Sequence, residues 1–289
     1  MRSIVCAVDP RLWDVLIRWK GRRHENQEWR CRIADVVACP DNARIPRVAD
    51  AGRVVGRYQI MHNGLKVLTH GYYGRNITRL LARNRGCHEP QEEAVFAEVI
   101  STLPEGASIV ECGAYWGFYS LWFLTAVHDA HAFLIEPDSN NLTVGQENFR
   151  LNGFNGCFTH AYVGNCAGIH SDGTAIVAID SFVQERSLGQ IDLLHADIQG
   201  AEFDMLMGAR DLLRKRGIGY IFLSTHTPEL HERCRSFLKA NGYSELVSIN
   251  IAESYSADGI LIFYSPDIVP PPVPYPSRKS TGNSTAPKD

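Results

Sequence analysis

The residues best suited to chemistry form one short run, Glu111-Cys112-Gly113-Ala114-Tyr115-Trp116-Gly117. A β-rich stretch, Ser108–Cys112, leads into it and a helical one, residues 118–127, leaves it, so both glycines fall at a strand-to-helix turn. Open α/β sheets bind ligands at the carboxyl ends of their strands. Glycine in such a turn lets the backbone come close to a ligand. The spacing is E-x-G-x-x-x-G rather than the dinucleotide pattern G-x-G-x-x-G, and an acid at the strand end would repel a pyrophosphate. It suits a cationic ligand, such as the ammonium or sulfonium of S-adenosylmethionine.

Glu136 ends the next β-rich run, residues 132–135. A carboxylate there can accept both hydroxyls of a ribose. NAD would ask for the same acid, so the glycine spacing, not Glu136, separates the two cofactors. Two further candidates stand at the ends of strands four and five: Asp197, at the end of the strand 191–198, and His226, after Leu223-Ser224-Thr225. Both are expected at the edge that carries Gly113. Transfer of a methyl group from a sulfonium to an alcohol needs a base for the alcohol's proton, and imidazole has the right pKa. The sequence therefore favours His226 as base. Asp197 is left between that role and a structural or donor-amine contact.

These residues need a scaffold. From residue 91 the pattern alternates: helix 91–103, strand 108–112, helix 118–127, strand 132–135, helix 139–151, strand 158–163, strand 191–198, helix 201–214, strand 218–224, helix 228–241, then strands 245–251 and 259–264. Such alternation implies a mostly parallel α/β sheet with helices on both faces, and the closing strand pair implies one antiparallel edge strand. Ahead of it, Asp9 and Pro10 start a helix with Leu12, Val15, Leu16 and Trp19 on one face. Residues 53–69 read as a hairpin turning at Asn63-Gly64. The expected organisation is a basic extension over 1–87, a catalytic domain over 88–265, and a Pro/Ser-rich disordered tail over 266–289.

Composition limits the alternatives. In 289 residues, 45% are hydrophobic and 21% charged, which is globular. The formal net charge of −3 hides an asymmetry: residues 1–90 carry +9 and residues 91–289 carry −12. Eight cysteines without a C-x-x-C pair or zinc-like spacing point to free thiols and a cytoplasmic setting. The apolar run at 1–7 is too short for a signal peptide, and the stretch 107–127 contains Glu111 and several small turn residues, so no membrane span is expected.

Taken together, the blocks 108–120, Ile135-Glu136-Pro137-Asp138, Asp180-Ser181-Phe182 and 191–202 resemble the FkbM-type methyltransferase family, over roughly residues 88–264. The resemblance implies a class I, Rossmann-like methyltransferase fold, S-adenosyl-L-methionine as cofactor, and O-methylation of a sugar, glycan or other natural product. It implies cofactor contacts from Glu111, Gly113, Tyr115, Gly117, Ser120, Glu136, Pro137, Asp197 and Glu202. Three positions depart from the family pattern. Tyr115-Trp116 replaces a small polar pair, His195 stands where lysine is frequent, and Gln199 replaces a glutamate, which argues against a bound divalent metal. The absence of an Asn-Pro-Pro-aromatic run after strand four disfavours DNA. Two other readings stay open: an RNA or protein methyltransferase docking through the basic extension, and a non-catalytic binding module. The extension itself is expected on the substrate side or at a homo-oligomer interface.

Overall fold

The computed structural model describes residues 27–280, so the helix expected from Asp9 and the last part of the tail, 281–289, lie outside the described residues. Residues 27–38 form a helix, α1. After it come three short strands, β1 (Val54–Val55), β2 (Tyr58–Ile60) and β3 (Lys66–Leu68), then helices α2 (Gly74–Arg83) and α3 (Pro90–Ile100). The expected two-armed hairpin is thus a three-stranded antiparallel meander. Asn63-Gly64 turns β2 into β3 as expected, but Gly56, at φ +60°, makes an additional turn inside what read as one arm.

The main sheet follows. Its strands are β4 (Ser108–Cys112), β5 (His131–Glu136), β6 (Cys157–His160), β10 (Ile191–Ala196), β11 (Ile218–Thr225), β12 (Ser244–Ile249) and β13 (Gly259–Tyr264), in the order β12-β13-β11-β10-β4-β5-β6. Between β6 and β10 the chain makes a small sheet of β7 (Tyr162–Val163), β8 (Gly168–Ile169) and β9 (Ala175–Val177), and the helix α6 (Ile179–Glu185). Helices α4 (Phe118–Ala126), α5 (Ser139–Asn152), α7 (Glu202–Met207), α8 (Arg210–Arg214) and α9 (Pro228–Ala240) complete the layers. One antiparallel strand is present, and it belongs to the closing pair. It is the inner member of that pair: β13 pairs antiparallel with β11 on one side and with β12 on the other, so the outermost strand β12 runs with the parallel set. The single helix expected over 201–214 is two, broken at Gly208, where an added Cβ would collide with the carbonyl of Gly164.

Two continuous apolar cores flank the sheet, and the first does not respect a boundary at residue 87. Ile33 and Val36 of α1, Met61, Val67 of β3, and Ile77 and Leu80 of α2 share it with Phe96, Phe118, Leu121 and Phe222. The tail does not behave as its composition suggests. Ile268 and Val273 pack on this core, the Tyr275 hydroxyl donates to the carbonyl of Ser248 at 2.6 Å, and Lys279 Nζ lies 2.6 Å from Asp35 Oδ2. A proline-rich chain already has restricted φ, so little entropy is lost when it is pinned along a strand. Residues 266–280 therefore run as a docked strap.

A buried charge cluster ties the first 90 residues to the sheet. Glu93, at the first turn of α3, accepts the backbone N–H of His88 and of Glu89 at 2.8 and 3.0 Å, contacts His88 Nδ1 at 2.6 Å, and meets His62 Nε2 at 3.2 Å. Burial opposes charge on all three groups, but the pairing outweighs it: His88 is pushed up to about 10, and Glu89 and Glu93 fall to about 2. The depressed acids add stability above their ordinary value of 4.5 and lose it as pH falls towards 2. The raised His88 adds stability below 6.5 and loses it as pH climbs towards 10. In urea titrations, Glu93→Gln is expected to cost about 1–3 kcal/mol at pH 6, because it removes one of the two carboxylates paired with the buried His88 and leaves Glu89 alone to balance it. The loss of stability between pH 5 and pH 3 should also be shallower in the variant than in the parent.

Candidate active site

The chain reverses its strand order between β4 and β10, and there the carboxyl ends of the strands open into a cavity of about 280 Å³. Gly113 and Asp197 stand one residue beyond β4 and β10. Gly113 has φ +71°, and a Cβ on it would strike the carbonyl oxygen of Asp197. The glycine is thus required first by the neighbouring strand, and only secondly by any ligand. Gly117, at φ +69°, answers to a different demand: its missing Cβ leaves space for Phe149 and Leu134.

Six of the expected residues, Glu111, Gly113, Tyr115, Glu136, Pro137 and Asp197, line the cavity, while Gly117, Ser120 and Glu202 do not. Glu111 is buried and accepts the backbone N–H of Ser120 at 3.0 Å, so it caps the first turn of α4 while facing the cavity. Burial raises its carboxyl. Glu136 ends β5 with both oxygens held: Oε2 accepts from the backbone of Tyr115 at 3.0 Å and Oε1 from that of Asp138 at 2.9 Å. An ionised carboxylate has about four lone-pair positions, so acceptor capacity remains. Burial raises Glu136 too, against these hydrogen bonds.

The bulky pair at 115–116 is explained by the extension. Trp116 stacks on Tyr72 with centroids 4.5 Å apart and planes within 10°, and Tyr72 also meets Tyr115 edge-on at 4.6 Å. Behind this aromatic wall lies a second cavity of about 380 Å³, lined by Trp29 and Arg32 of α1, by Tyr73, and by Gln199 and Asp258. Arg32 sits 5.0 Å from the Trp29 ring centroid.

Asp197, Gln199 and Asp258 stand where the two cavities meet, with His226 among them. His226 Nε2 lies 3.1 Å from Asp197 Oδ1 and 3.3 Å from Asp258 Oδ1, and its Nδ1 lies 3.0 Å from Glu202 Oε1. Burial works against charge on the ring, but Asp197, Glu202 and Asp258 outweigh it and push it up to about 10. A ring ionised at neutral pH has no lone pair for an acceptor's proton. The expectation that His226 is a free general base therefore meets a physical objection: Asp197 and Glu202 favour its charged form, while burial and Asp197 push the neighbouring Asp258 up to about 7.

The sequence pointed to His195 but not to the acids that pair with the cavity residues, Glu89 and Glu92, nor to Asp258. His195 Nε2 pairs with Glu92 Oε1 at 2.9 Å beneath the cavity, and the Tyr119 hydroxyl donates to Glu89 Oε2 at 2.9 Å. Burial opposes charge on His195, and Glu92 raises it nonetheless. Glu89 and Glu92 sit at a helix start whose sequence, His88-Glu89-Pro90, has no catalytic spacing. Asp258 was findable from register alone, because Thr225 pairs with Gly259 and the residues flanking that pair must be neighbours.

The sheet order is that of the class I, Rossmann-like methyltransferase fold. Residues 173–245 match the family model described as the methyltransferase FkbM domain, a segment running from just before β9 into β12. That match and the fold imply S-adenosylmethionine as cofactor. Among solved structures the chain is similar to the METTL16 MTase domain (13% identity, 72% of this chain and 86% of that one, TM-score 0.46). It is also similar to precorrin-6y C5,15-methyltransferase from Geobacter metallireducens GS-15 (14%, 60% and 86%, TM-score 0.42). A third likeness is to ribosomal protein L11 methylase from Lactobacillus delbrueckii subsp. bulgaricus (13%, 61% and 79%, TM-score 0.43). No curated protein matches the sequence. Among the described residues no helix is long and apolar enough to cross a membrane.

The close approach of the two strand ends gives a direct test. Gly113→Ala combines a left-handed backbone with a collision, and should cost about 2–4 kcal/mol in urea unfolding. Gly200→Ala, at φ +107° with open space around the position, carries the strain without the collision and should cost less. Equal costs would mean that the Asp197 carbonyl has room to move.

Proposed function

We propose that this chain is an S-adenosylmethionine-dependent methyltransferase that methylates a hydroxyl on a small acceptor such as a sugar, glycan or other natural product. The observation that carries the reading is Glu136, fixed by two backbone N–H groups at the end of β5 beside the Gly113 turn, with acceptor capacity left for a ribose. The cavity residues fit the donor in sequence along the sheet edge. Glu136 and Pro137 would hold the nucleoside's sugar, and the Gly113–Tyr115 turn and Asp197 the amino-acid end. When bound, the donor supplies an electrophilic methyl on a sulfonium. The protein's part is to shield that methyl from water and to bring an oxygen to it.

The acceptor side falls to the second cavity. Tyr72 and Tyr73 reach it from the first 87 residues, which supports a substrate-side role for that segment rather than a purely oligomeric one. The rim at the junction is acidic, with Asp197, Asp258 and Glu89 nearby, and Arg32 is the cation among the residues lining the second cavity. A polyphosphate backbone would be repelled there, which favours a small neutral acceptor over RNA. The arginines of α2 that face solvent, Arg75, Arg79 and Arg83, lie on the extension and are the surface an RNA reading would use.

Calorimetry tests the donor. S-adenosylmethionine and its demethylated product should bind, and NAD should not. Glu136→Ala should weaken donor binding at least about tenfold, since charge-assisted hydrogen bonds contribute about 1.5–3 kcal/mol each. NAD binding without a response to either sulfur nucleoside would overturn the reading, as would a folded Glu136→Ala protein with unchanged affinity.

A further inference from the structure

The geometry points to a divalent transition-metal site formed by Asp197, His226 and Asp258, with the side-chain oxygen of Gln199 as a fourth ligand, at the junction of the two cavities. The three ligating residues come from adjacent places on one sheet edge. Asp197 follows β10, His226 follows β11, and Asp258 precedes β13, and these strands are neighbours in the order β10-β11-β13. Their ligand atoms all lie within 4.8 Å of one another.

Two independent observations turn this cluster into a site. The first is a conflict of protons around His226 Nε2. Within reach of that nitrogen are Asp197 Oδ1 at 3.1 Å, Asp258 Oδ1 at 3.3 Å and the Gln199 amide nitrogen at 2.9 Å, and the same amide donates to Asp197 Oδ1 at 3.0 Å. With the carboxylates ionised, no placement of protons serves every contact. A protonated ring faces the amide donor to donor. A neutral ring that accepts from the amide turns the same lone pair towards two anionic oxygens. Reversing the amide sets its oxygen against that of Asp197. A cation removes the conflict, because imidazole nitrogen, two carboxylate oxygens and a reversed amide oxygen are all lone-pair donors. The spacing also agrees: ligands bound at about 2.1 Å and at right angles lie about 3.0 Å apart.

The second observation is what stands behind the histidine. Metal-bound histidine characteristically gives its other ring N–H to a carboxylate that fixes tautomer and orientation. Glu202 is fully buried, its Oε1 lies 3.0 Å from His226 Nδ1, and the backbone N–H groups of Ile198 and Gly200 hold that same oxygen at 3.2 Å each. With Glu202 beside Nδ1, Nε2 is the ring nitrogen on the side of the two aspartates. The Gln199 amide lies in the cluster, within 3.0 Å of both Asp197 Oδ1 and His226 Nε2.

One imidazole with oxygen ligands suits manganese, iron, cobalt, nickel or zinc better than magnesium, which is satisfied by oxygen and water alone. Two carboxylates balance the ion's charge. The sequence argued against a metal from the loss of a glutamate at position 199, but it had not placed Asp258, far downstream, in the same cluster. On the methyl-transfer reading, on which this last step rests, the ion's open positions take the acceptor's oxygen and present it across the junction towards the donor.

The full chain, stripped with EDTA and dialysed, should take up one Mn²⁺ per chain in calorimetry, with Mg²⁺ at least about tenfold weaker. Pulsed electron paramagnetic resonance of the Mn²⁺ form should show coupling to one imidazole nitrogen, a readout on the unmodified protein that no folding defect can imitate. Glu202→Gln should weaken uptake by about 10–100-fold, and Asp258→Asn by at least as much. No uptake at millimolar Mn²⁺, uptake without nitrogen coupling, or uptake unchanged in Asp258→Asn would each overturn the site. Donor binding measured in EDTA keeps the two readings apart. If the ion binds with nitrogen coupling and S-adenosylmethionine does not bind, the metal site stands and the methyltransferase reading fails.

Discussion

The contact on which the site depends is between backbones: the Gly113 turn lies against the carbonyl of Asp197, and the N–H of Asp197 donates to the carbonyl of Cys112 at 3.1 Å. Neighbouring parallel strands normally diverge after their last hydrogen bond. Here β4 and β10 stay together for one residue more because nothing projects from Gly113. That extra residue brings the Asp197 side chain to the first cavity instead of away from it. Glu136 is set by the same turn, through the backbone N–H of Tyr115, itself at φ +44°. One glycine therefore aligns the acid proposed for the ribose with the acid at the acceptor junction.

The cavity floor shows how such a pocket tolerates so many buried ionisable groups. Glu89, Glu92, Glu93 and Glu111 are all buried, which would be prohibitive for isolated carboxylates. Each is met by a specific partner: His88 and Tyr119 for Glu89, His195 for Glu92, the His88 ring and the backbone N–H groups of His88 and Glu89 for Glu93, and the backbone of Ser120 for Glu111. Histidine suits this role because its charge adapts to the partner it finds. The cluster orients α3 against the sheet. It also contributes specificity of packing as much as energy, since a buried pair seldom outperforms a well-packed apolar one.

How much of this was legible follows from how local each signal is. The strands and the glycine turn were read because their information is short-range: hydrophobic runs of four to six residues, and glycine where φ must be positive. The strap over 266–280 was misread because composition reports the inability to build a core, not the ability to lie on one that already exists. The inner position of β13 was missed because a sequence gives strand order only by default to the nearest neighbour, and β12 is linked to β11 by α9 rather than by a turn. His226 was found but given an ordinary pKa, because Glu202 and Asp258 approach it only in three dimensions. Asp258 shows the same limit: its position next to Gly259 carries meaning only once β13 is known to pair with β11.

The basic first 90 residues take on a different meaning once folded. Part of their arginine content is internal: Arg47 donates to the carbonyls of Asn42 and Ile45 at 2.6 and 3.0 Å, and Arg44 pairs with the buried Asp41. Asp41 also accepts from the backbone of Ser277 at 2.8 Å, so the cationic segment closes onto the strap. Arg32 leans over Trp29 and Tyr73 at the second cavity, a planar cation stacked on aromatic faces rather than exposed for phosphate. The charge asymmetry of the sequence is therefore partly an asymmetry between a shell that ties itself down with guanidinium groups and a sheet edge that gathers carboxylates. Carboxylates gathered around one imidazole need positive charge at their centre, and that need, more than the net charge of either segment, determines what the junction can accept.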